Sequence, residues 1–133
     1  MNTRVAITAV AVVLGIVCAA APAVARTPGS LKALDSDHDG TVDLNEAATA
    51  ANQAFDRLDR DHDGTLSARE LRGRLSAREL AAADDDHDGT LTRSEYAAAV
   101  ESRFKAANRD SDDTLDDHEL RSGPGKALQR LIR

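Results

Sequence analysis

Apolar residues recur along the chain at helical spacing, and polar segments of constant length interrupt them at regular intervals. Two apolar residues three positions apart precede each of four polar segments, which places both members of a pair on one face of a helix. The pairs are Leu31/Leu34, Phe55/Leu58, Leu80/Ala83 and Phe104/Ala107. One apolar residue also recurs inside each segment, at Val42, Leu66, Leu91 and Leu115. The pattern predicts four helices that each enter a loop, with a short strand in each loop that pairs with another loop.

The polar segments are 12-residue windows that form an internal repeat with a period of 24 or 25 residues. They are loop 1 (35–46, DSDHDGTVDLNE), loop 2 (59–70, DRDHDGTLSARE), loop 3 (84–95, DDDHDGTLTRSE) and loop 4 (108–119, NRDSDDTLDDHE). Only 12, 13 and 12 residues separate them, at 47–58, 71–83 and 96–107. Twelve residues form a single helix of about 18 Å. We therefore expect one helix to leave each loop and enter the next, capped by the residue at loop position 9 together with the glutamate at position 12.

This spacing predicts an all-α fold, a compact three-helix bundle in which four loops are joined by single shared helices, followed by a short C-terminal helix. Consecutive loops then lie at opposite ends of the bundle, so we expect loop 1 to pair with loop 3 and loop 2 with loop 4. Gly73 and a second capping box, Ser76-x-x-Glu79, are signals that can break the middle helix and change this pairing. The amphipathic tail 126–133 is expected to pack on the bundle, with partner binding as the alternative.

Acidic residues are concentrated in the four loops, which hold 20 of the 23 Asp and Glu residues. Each loop matches the pattern of an EF-hand ion loop, in which positions 1, 3, 5, 7, 9 and 12 supply oxygen ligands. The candidate metal ligands are Asp35, Asp37, Asp39, Thr41, Asp43, Glu46, Asp59, Asp61, Asp63, Thr65, Ser67, Glu70, Asp84, Asp86, Asp88, Thr90, Thr92, Glu95, Asn108, Asp110, Asp112, Thr114, Asp116 and Glu119. Position 7 offers its backbone carbonyl, and position 12 is long enough to offer both carboxylate oxygens to one ion.

The four loops differ in charge and in backbone chemistry. Loop 1 carries an acid at positions 1, 3, 5, 9 and 12, whereas loops 2 and 3 have Ser67 and Thr92 at position 9. Loop 4 begins with the neutral Asn108 and has Asp113 at position 6, where a positive φ favours glycine. We expect up to four bound ions with loop 4 the weakest site, and the alternative is that loop 4 is a structural relic.

The N-terminal segment has the organisation of a secretory signal peptide. An apolar run, Val5 to Val24, follows a short start with one basic residue, and small residues close it before Arg26. We predict that residues 1–25 are a signal peptide and that 26–133 form the four-EF-hand domain, in the periplasm or secreted. An uncleaved membrane anchor is the alternative, because the run approaches the length of a spanning helix. Without the signal, the chain has no cysteine, methionine or tryptophan, which excludes disulfides and thiol chemistry.

Charge and composition narrow the function further. The formal net charge of −6 argues against nucleic acid as a partner, and we expect no membrane contact once the signal is removed. His38, His62 and His87 share position 4, which points away from the ion, so we expect no transition-metal site. The sequence contains no set of residues that suggests catalysis, so we do not expect an enzyme. The lack of a Met-rich surface disfavours broad partner recognition, although it does not exclude one dedicated protein partner.

The combination of an export signal, four loops, 12–13-residue gaps and Asn108 resembles the lanmodulin family of periplasmic lanthanide-binding proteins. Three stretches that lie mainly outside the loops are also similar to it: Gly73-Arg74, EYAAAVESRFKAAN (95–108) and GKALQRLIR (125–133). The resemblance implies tight, reversible binding of lanthanide(III) ions in a bacterial periplasm. The chain departs from the family at position 2, where Ser36, Arg60, Asp85 and Arg109 replace proline, and at position 9 of loops 2 and 3.

Three functions stay open at this point: a lanthanide carrier or buffer, a periplasmic Ca²⁺ buffer or structural protein, and a switch that binds a partner when loaded. In each of them we expect ion binding to supply folding free energy, because the apolar core is thin and the loops are crowded with acids.

Overall fold

A computed structural model describes residues 30–133, which form six α-helices and four short β-strands. In chain order these are α1 Ser30–Leu34, β1 Val42–Asp43, α2 Leu44–Leu58, β2 Thr65–Ser67, α3 Ala77–Ala83, β3 Thr90–Thr92, α4 Arg93–Ala107, β4 Thr114–Leu115, α5 Asp117–Leu120 and α6 Gly123–Ile132. The predicted signal peptide, 1–25, lies outside the described residues. Within 30–133, no helix combines the length and the apolar character that crossing a membrane requires.

Helices α2 and α4 each connect two consecutive loops, as the short gaps in the sequence predict. Each begins directly after a loop strand and runs for 15 residues to the start of the next loop. Position 9 is the N-cap in both cases, and its side chain accepts a hydrogen bond from the backbone N–H of the glutamate at position 12. That glutamate in turn accepts a hydrogen bond from the N-cap backbone, so Asp43 with Glu46 and Thr92 with Glu95 form complete capping boxes. The capping box therefore fixes the end of each loop to the start of the helix that follows it.

The middle connection, 71–83, does not form the single helix that the gap length predicts. After loop 2 the chain makes only hydrogen-bonded turns, among them Leu71 N to Ser67 O at 3.0 Å and Leu75 N to Leu71 O at 3.1 Å. Gly73 then adopts a positive φ of 82°, which ends any helical continuation. Helix α3 starts separately, because Ser76 and Glu79 form their own capping box. Both break signals in the sequence, Gly73 and the capping box at Ser76, therefore interrupt the helix.

The predicted pairing of loops is wrong, and the break in the middle connection explains why. Strand β2 pairs antiparallel with β3, opposing Leu66 to Leu91, and β1 pairs antiparallel with β4, opposing Val42 to Leu115. Loop 2 therefore pairs with loop 3, and loop 1 with loop 4. A continuous helix over 71–83 would have carried loop 3 to the far end of the bundle. The turn at Gly73 instead brings the chain back beside loop 2, so α2 and α4 run antiparallel with a pair of loops at each end.

The bundle consists of α2, α4 and α6, which all pack against one another. The third helix is thus the C-terminal one, and the middle connection that we expected to fill this position lies elsewhere. The apolar side chains of the tail are buried, with Leu128 and Leu131 fully inaccessible and Ile132 at 3% exposure, so the tail packs on the bundle as predicted. Tyr96 contacts Phe55 edge-on, with 5.9 Å between ring centroids, and its hydroxyl donates to the carbonyl oxygen of Leu131.

The apolar residues at loop position 8 close the core at both ends of the bundle. Their side chains are completely buried: Val42, Leu66, Leu91 and Leu115. Because they also occupy the strand pairs, each two-stranded sheet holds two loops together and at the same time covers one end of the helices. The loops are therefore attached to the core through their eighth residue.

Gly125 should be essential for the packing of α6. A Cβ atom at this position would lie 2.6 Å from the Cα of Leu120 and still closer to the carbonyl oxygen of Glu119, and both are backbone atoms that cannot turn aside. We expect Gly125→Ala to destabilise the ion-saturated protein by about 1–3 kcal/mol, as overpacking does. Urea unfolding followed by circular dichroism measures the change.

Gly123→Ala is the matched control, because a Cβ added at that position of the same helix would meet no heavy atom within 4 Å. Equal stability of the two alanine variants would contradict the close packing of α6 against the residues that follow loop 4.

Candidate metal centres

The glutamate at position 12 spans each loop from its beginning to its end. One carboxylate oxygen accepts a hydrogen bond from the backbone N–H of position 2, at 2.5–3.0 Å in the four loops. The other oxygen accepts from the backbone N–H of position 9, at 2.8–3.3 Å. The glutamates are Glu46, Glu70, Glu95 and Glu119. An ionised carboxylate has about four acceptor sites, so each glutamate keeps acceptor capacity for an ion while its direction is fixed by the loop.

The aspartate at position 1 is buried at the end of each entering helix in loops 1 to 3. Asp35, Asp59 and Asp84 are 7%, 7% and 5% exposed, and each accepts a hydrogen bond from the N–H of the glycine at position 6, at 2.8–3.1 Å. The second oxygen of Asp59 is buried and has no hydrogen-bond partner within the described part of the chain. A buried, unsatisfied carboxylate oxygen is costly unless a cation or a donor meets it. This oxygen therefore fits a metal ligand.

Position 5 is oriented by the threonine at position 7 in every loop. The aspartate carboxylate accepts hydrogen bonds from both the backbone N–H and the hydroxyl of that threonine, at 2.7–3.0 Å. These hydrogen bonds lower the pKa of Asp39, with the hydroxyl of Thr41 the largest cause, and they lower the pKa of Asp112 through the backbone N–H and hydroxyl of Thr114. Both carboxylates are thus held in the ionised form that a metal requires.

Three acidic oxygens converge in each of loops 1, 2 and 3. One oxygen from each of three carboxylates lies within 4.8 Å of the other two, and the groups are Asp35/Asp37/Asp39, Asp59/Asp61/Glu70 and Asp84/Asp86/Glu95. The structure therefore brings together members of the predicted ligand set from positions 1, 3, 5 and 12. An all-oxygen set of this kind suits hard cations such as Ca²⁺ and lanthanide(III) rather than softer metals.

Crowding of these carboxylates is visible in the pKa values at position 3. The backbone N–H of Asp39 lowers the pKa of Asp37, but desolvation and the charges of Asp39, Glu46 and Asp35 outweigh it, so the pKa is raised. In loop 3, the N–H of Asp88 acts in the same way on Asp86, and desolvation with the neighbouring charges again raises the pKa. The ionised loops repel themselves, and a bound cation would remove that repulsion.

At position 9 of loops 2 and 3, the hydroxyl donates a hydrogen bond to the position 12 glutamate. Ser67 and Thr92 each donate a hydroxyl hydrogen bond of 2.7 Å to the glutamate at position 12 of their own loop. Together with the position 9 N–H groups, these bonds lower the pKa of Glu70 and Glu95. In loops 1 and 4, the position 9 carboxylates of Asp43 and Asp116 also cap the following helix, at 2.7 Å from the N–H of position 12, but they have no hydroxyl to donate to the glutamate.

Loop 4 departs from the other three in the way the sequence indicates. Asn108 accepts a hydrogen bond from the N–H of Ser111 at 2.7 Å, whereas position 1 of the other loops binds the position 6 glycine. Asp113 has a φ of 69°, so position 6 takes the left-handed conformation without a glycine. Among residues 30–133, loop 4 contains no convergent group of three acidic oxygens like those of loops 1 to 3.

Position 4 has a backbone role that our sequence analysis missed. His38, His62, His87 and Ser111 all adopt a positive φ, between 58° and 65°. Histidine is enriched in this left-handed region relative to most side chains, so its repetition at position 4 was a usable signal. The histidine side chains are exposed, and His87 Nδ1 lies 2.8 Å from the carbonyl oxygen of Asp84. Each loop therefore turns through two left-handed residues, at positions 4 and 6.

Fold and site together define a helix–loop–helix protein that presents oxygen ligands to hard cations. A model of the EF-hand family matches residues 30–46, 52–81 and 77–100, which include the first three loops and the helices or turns beside them. The chain is an EF-hand metal-binding protein. Loop 4 lies outside the matched residues. No curated protein matches the sequence.

Relieving the backbone of loop 4 should strengthen its ion binding. Position 6 keeps its left-handed conformation in Asp113→Gly, but the cost of about 1 kcal/mol that this conformation has for a non-glycine residue is removed, which corresponds to roughly fivefold tighter binding at loop 4. Asp113 is not at a ligand position, so the substitution leaves the ligand set intact. Titration with La³⁺, followed by the NMR signals of the loop 4 backbone amides, measures the affinity of this loop.

The reciprocal variant, Gly64→Asp, should weaken loop 2 by a similar factor. A Cβ at Gly64 meets no heavy atom within 4 Å, so only its φ of 86° is in conflict with a side chain. Unchanged or weaker binding at loop 4 in Asp113→Gly would contradict the assignment of strain to position 6.

Proposed function

We propose that this EF-hand protein is exported and binds trivalent lanthanides tightly and reversibly as a carrier or buffer, with ion binding completing its folding. The observation that carries the proposal is the convergence of three carboxylate oxygens within 4.8 Å in each of three loops, with a glutamate fixed across every loop. The resemblance of the inter-loop segments and the signal-like N-terminus to the lanmodulin family supports the ion and the export.

Charge is the physical argument for a trivalent ion. Lanthanide(III) ions are close to Ca²⁺ in size and equally oxygen-seeking, but they carry one more unit of charge. Coulomb attraction to each carboxylate grows with the charge of the ion, so the most crowded loops gain the most from a trivalent cation. Loop 1, with acids at positions 1, 3, 5, 9 and 12, is the site where we expect the strongest preference.

The pairing of the loops favours a reversible ion buffer in which the two sites of a pair influence each other, rather than four independent sites. Loop 1 is joined to loop 4 and loop 2 to loop 3 by strands whose position 8 side chains are completely buried. An ion that orders one loop therefore also orders the strand of its neighbour. We expect loop 1 to support the weaker loop 4 in this way, so that loop 4 fills after its partner.

A periplasmic Ca²⁺ buffer is the second candidate, and the chemistry of position 9 favours it. Ser67 and Thr92 replace an acid and direct their hydroxyls to the position 12 glutamate, which leaves loops 2 and 3 with less negative charge than loop 1. Arg60 and Arg109 add positive charge at position 2 of loops 2 and 4. Lower negative charge reduces the advantage of a trivalent ion over a divalent one.

Chelator-buffered titrations of the purified protein with La³⁺ and with Ca²⁺, followed by helicity, test the proposal. We expect the La³⁺ response at free-ion concentrations many orders of magnitude below those that Ca²⁺ needs. Similar responses to the two ions would reject lanthanide selectivity and leave the Ca²⁺ buffer.

Substitutions at position 9 change the ligand charge of loops 2 and 3 directly. Ser67→Asp with Thr92→Asp recreates the acid that loops 1 and 4 carry at position 9, and it should increase the preference for La³⁺ over Ca²⁺. Ala68→Asp with Ser94→Asp is the matched control, because it adds the same charge to the same loops at positions 10 and 11, which are not ligand positions. An equal change of preference in both double variants would mean that overall charge, and not ligand charge, sets the selectivity.

A further inference from the structure

A cleft of about 880 Å³ lies between the turn that follows loop 2 and the outer face of α6. We call it the basic cleft. Its lining consists of five cationic residues, two glycines and one glutamine: Arg72, Arg74, Lys126, Arg130, Arg133, Gly73, Gly123 and Gln129. Neither an acidic nor a hydrophobic side chain contributes to this lining. The composition is the reverse of the ion loops, in a chain whose formal net charge is −6.

Helix α6 separates its cationic residues from its apolar ones. Lys126, Arg130 and Arg133 follow one another at spacings of four and three, which places them on one face of the helix. The buried side chains of Leu128, Leu131 and Ile132 occupy the opposite face and pack on the bundle. One face of α6 thus anchors the helix, and the other presents a row of positive charge.

The turn after loop 2 supplies the second wall of the basic cleft and is fastened to α6. One guanidinium nitrogen of Arg74, Nη1, donates to the carbonyl oxygens of Arg130 and Leu131, at 3.1 and 2.9 Å. These bonds use one terminal nitrogen and involve no carboxylate, so the Arg74 charge is held in place and stays uncompensated. The left-handed Gly73, which breaks the middle connection, is what lets this turn face α6.

None of these cations forms an ion pair with an acidic side chain within the described residues, although the charge of Arg130 adds to the hydrogen bonds from Ser76 that lower the pKa of Glu79. Arg93, Arg103, Lys105 and Arg121 form the four ion pairs found in 30–133, and none of the basic-cleft residues takes part. Five like charges around one cleft repel one another, and a multiply charged anion would relieve that repulsion. The arrangement therefore has the electrostatics of an anion site.

We propose that the basic cleft binds a free, multiply charged phosphate chain. Guanidinium groups match phosphate oxygens with paired, charge-assisted hydrogen bonds, and four of the five cations are arginines. The ten residues of α6 extend over roughly 15 Å, which suits a linear anion better than a single phosphate. A lining without apolar side chains offers nothing to an acyl chain or to an amphipathic peptide. This assignment is independent of which ion the loops bind.

Calorimetric titration of the Ca²⁺-saturated protein with inorganic tripolyphosphate tests the proposal, with both solutions equilibrated at the same free Ca²⁺ so that chelation of Ca²⁺ by the phosphate chain contributes no heat. The variant Arg72→Gln/Lys126→Gln/Arg130→Gln removes three exposed cations whose side chains make no hydrogen bond or ion pair within 30–133, so the fold should be retained. We expect it to lose at least about tenfold in affinity, since several charge-assisted hydrogen bonds disappear.

The control variant Arg57→Gln/Arg69→Gln/Arg78→Gln removes the same charge from exposed positions outside the basic cleft and should change the affinity less than about twofold. Equal losses in both variants, or no binding by the unaltered protein, would overturn the site. A second arm uses phosphatidylglycerol vesicles, which we expect not to bind. Sedimentation of the protein with these vesicles, without tripolyphosphate binding, would overturn the assignment to a free phosphate chain.

Discussion

Repulsion among the carboxylates of each loop is the constraint on which the rest of the structure depends. Backbone hydrogen bonds lower the pKa of Asp37 and Asp86, but desolvation together with this repulsion outweighs them, so both pKa values are raised. The repulsion also coincides with a buried oxygen of Asp59 that no donor satisfies among the described residues. A hard cation removes both difficulties at once, because it supplies positive charge and coordination where the acids converge. We therefore expect the acids to make the loops unstable without an ion and effective as ligands for one.

The candidate ion ligands also start the helices, so the candidate ion sites and the bundle form one system. Glu46 and Glu95 complete the capping boxes of α2 and α4 while their oxygens lie across the loops. The buried residue at position 8 ties each loop to a second loop and to the core. Since the core has only three aromatic side chains, Phe55, Tyr96 and Phe104, we expect ordering of the loops to be a large share of what stabilises the fold.

Local patterns predicted most of the fold, and the errors come from long-range geometry. The 12-residue gaps and the capping boxes identified α2 and α4, and the apolar position 8 identified the strands and their burial. The pairing of the loops was wrong because it depends on whether 71–83 is continuous, and Gly73 with Ser76 decides that. Spacing alone also does not reveal that α6 fills the third position of the bundle. That role depends on Gly125, where α6 approaches the backbone of Glu119 and Leu120.

Helicity in the presence and absence of ions tests the central claim most directly, because that claim couples ion binding to folding. Circular dichroism of the purified protein should show that most of the helix is lost in excess chelator and recovered when La³⁺ or Ca²⁺ saturates the loops. Helix should be recovered because the bound ions cancel the repulsion in the loops and fix the capping glutamates. Full native helicity in excess chelator would contradict the account, since the bundle would then be stable without its ions.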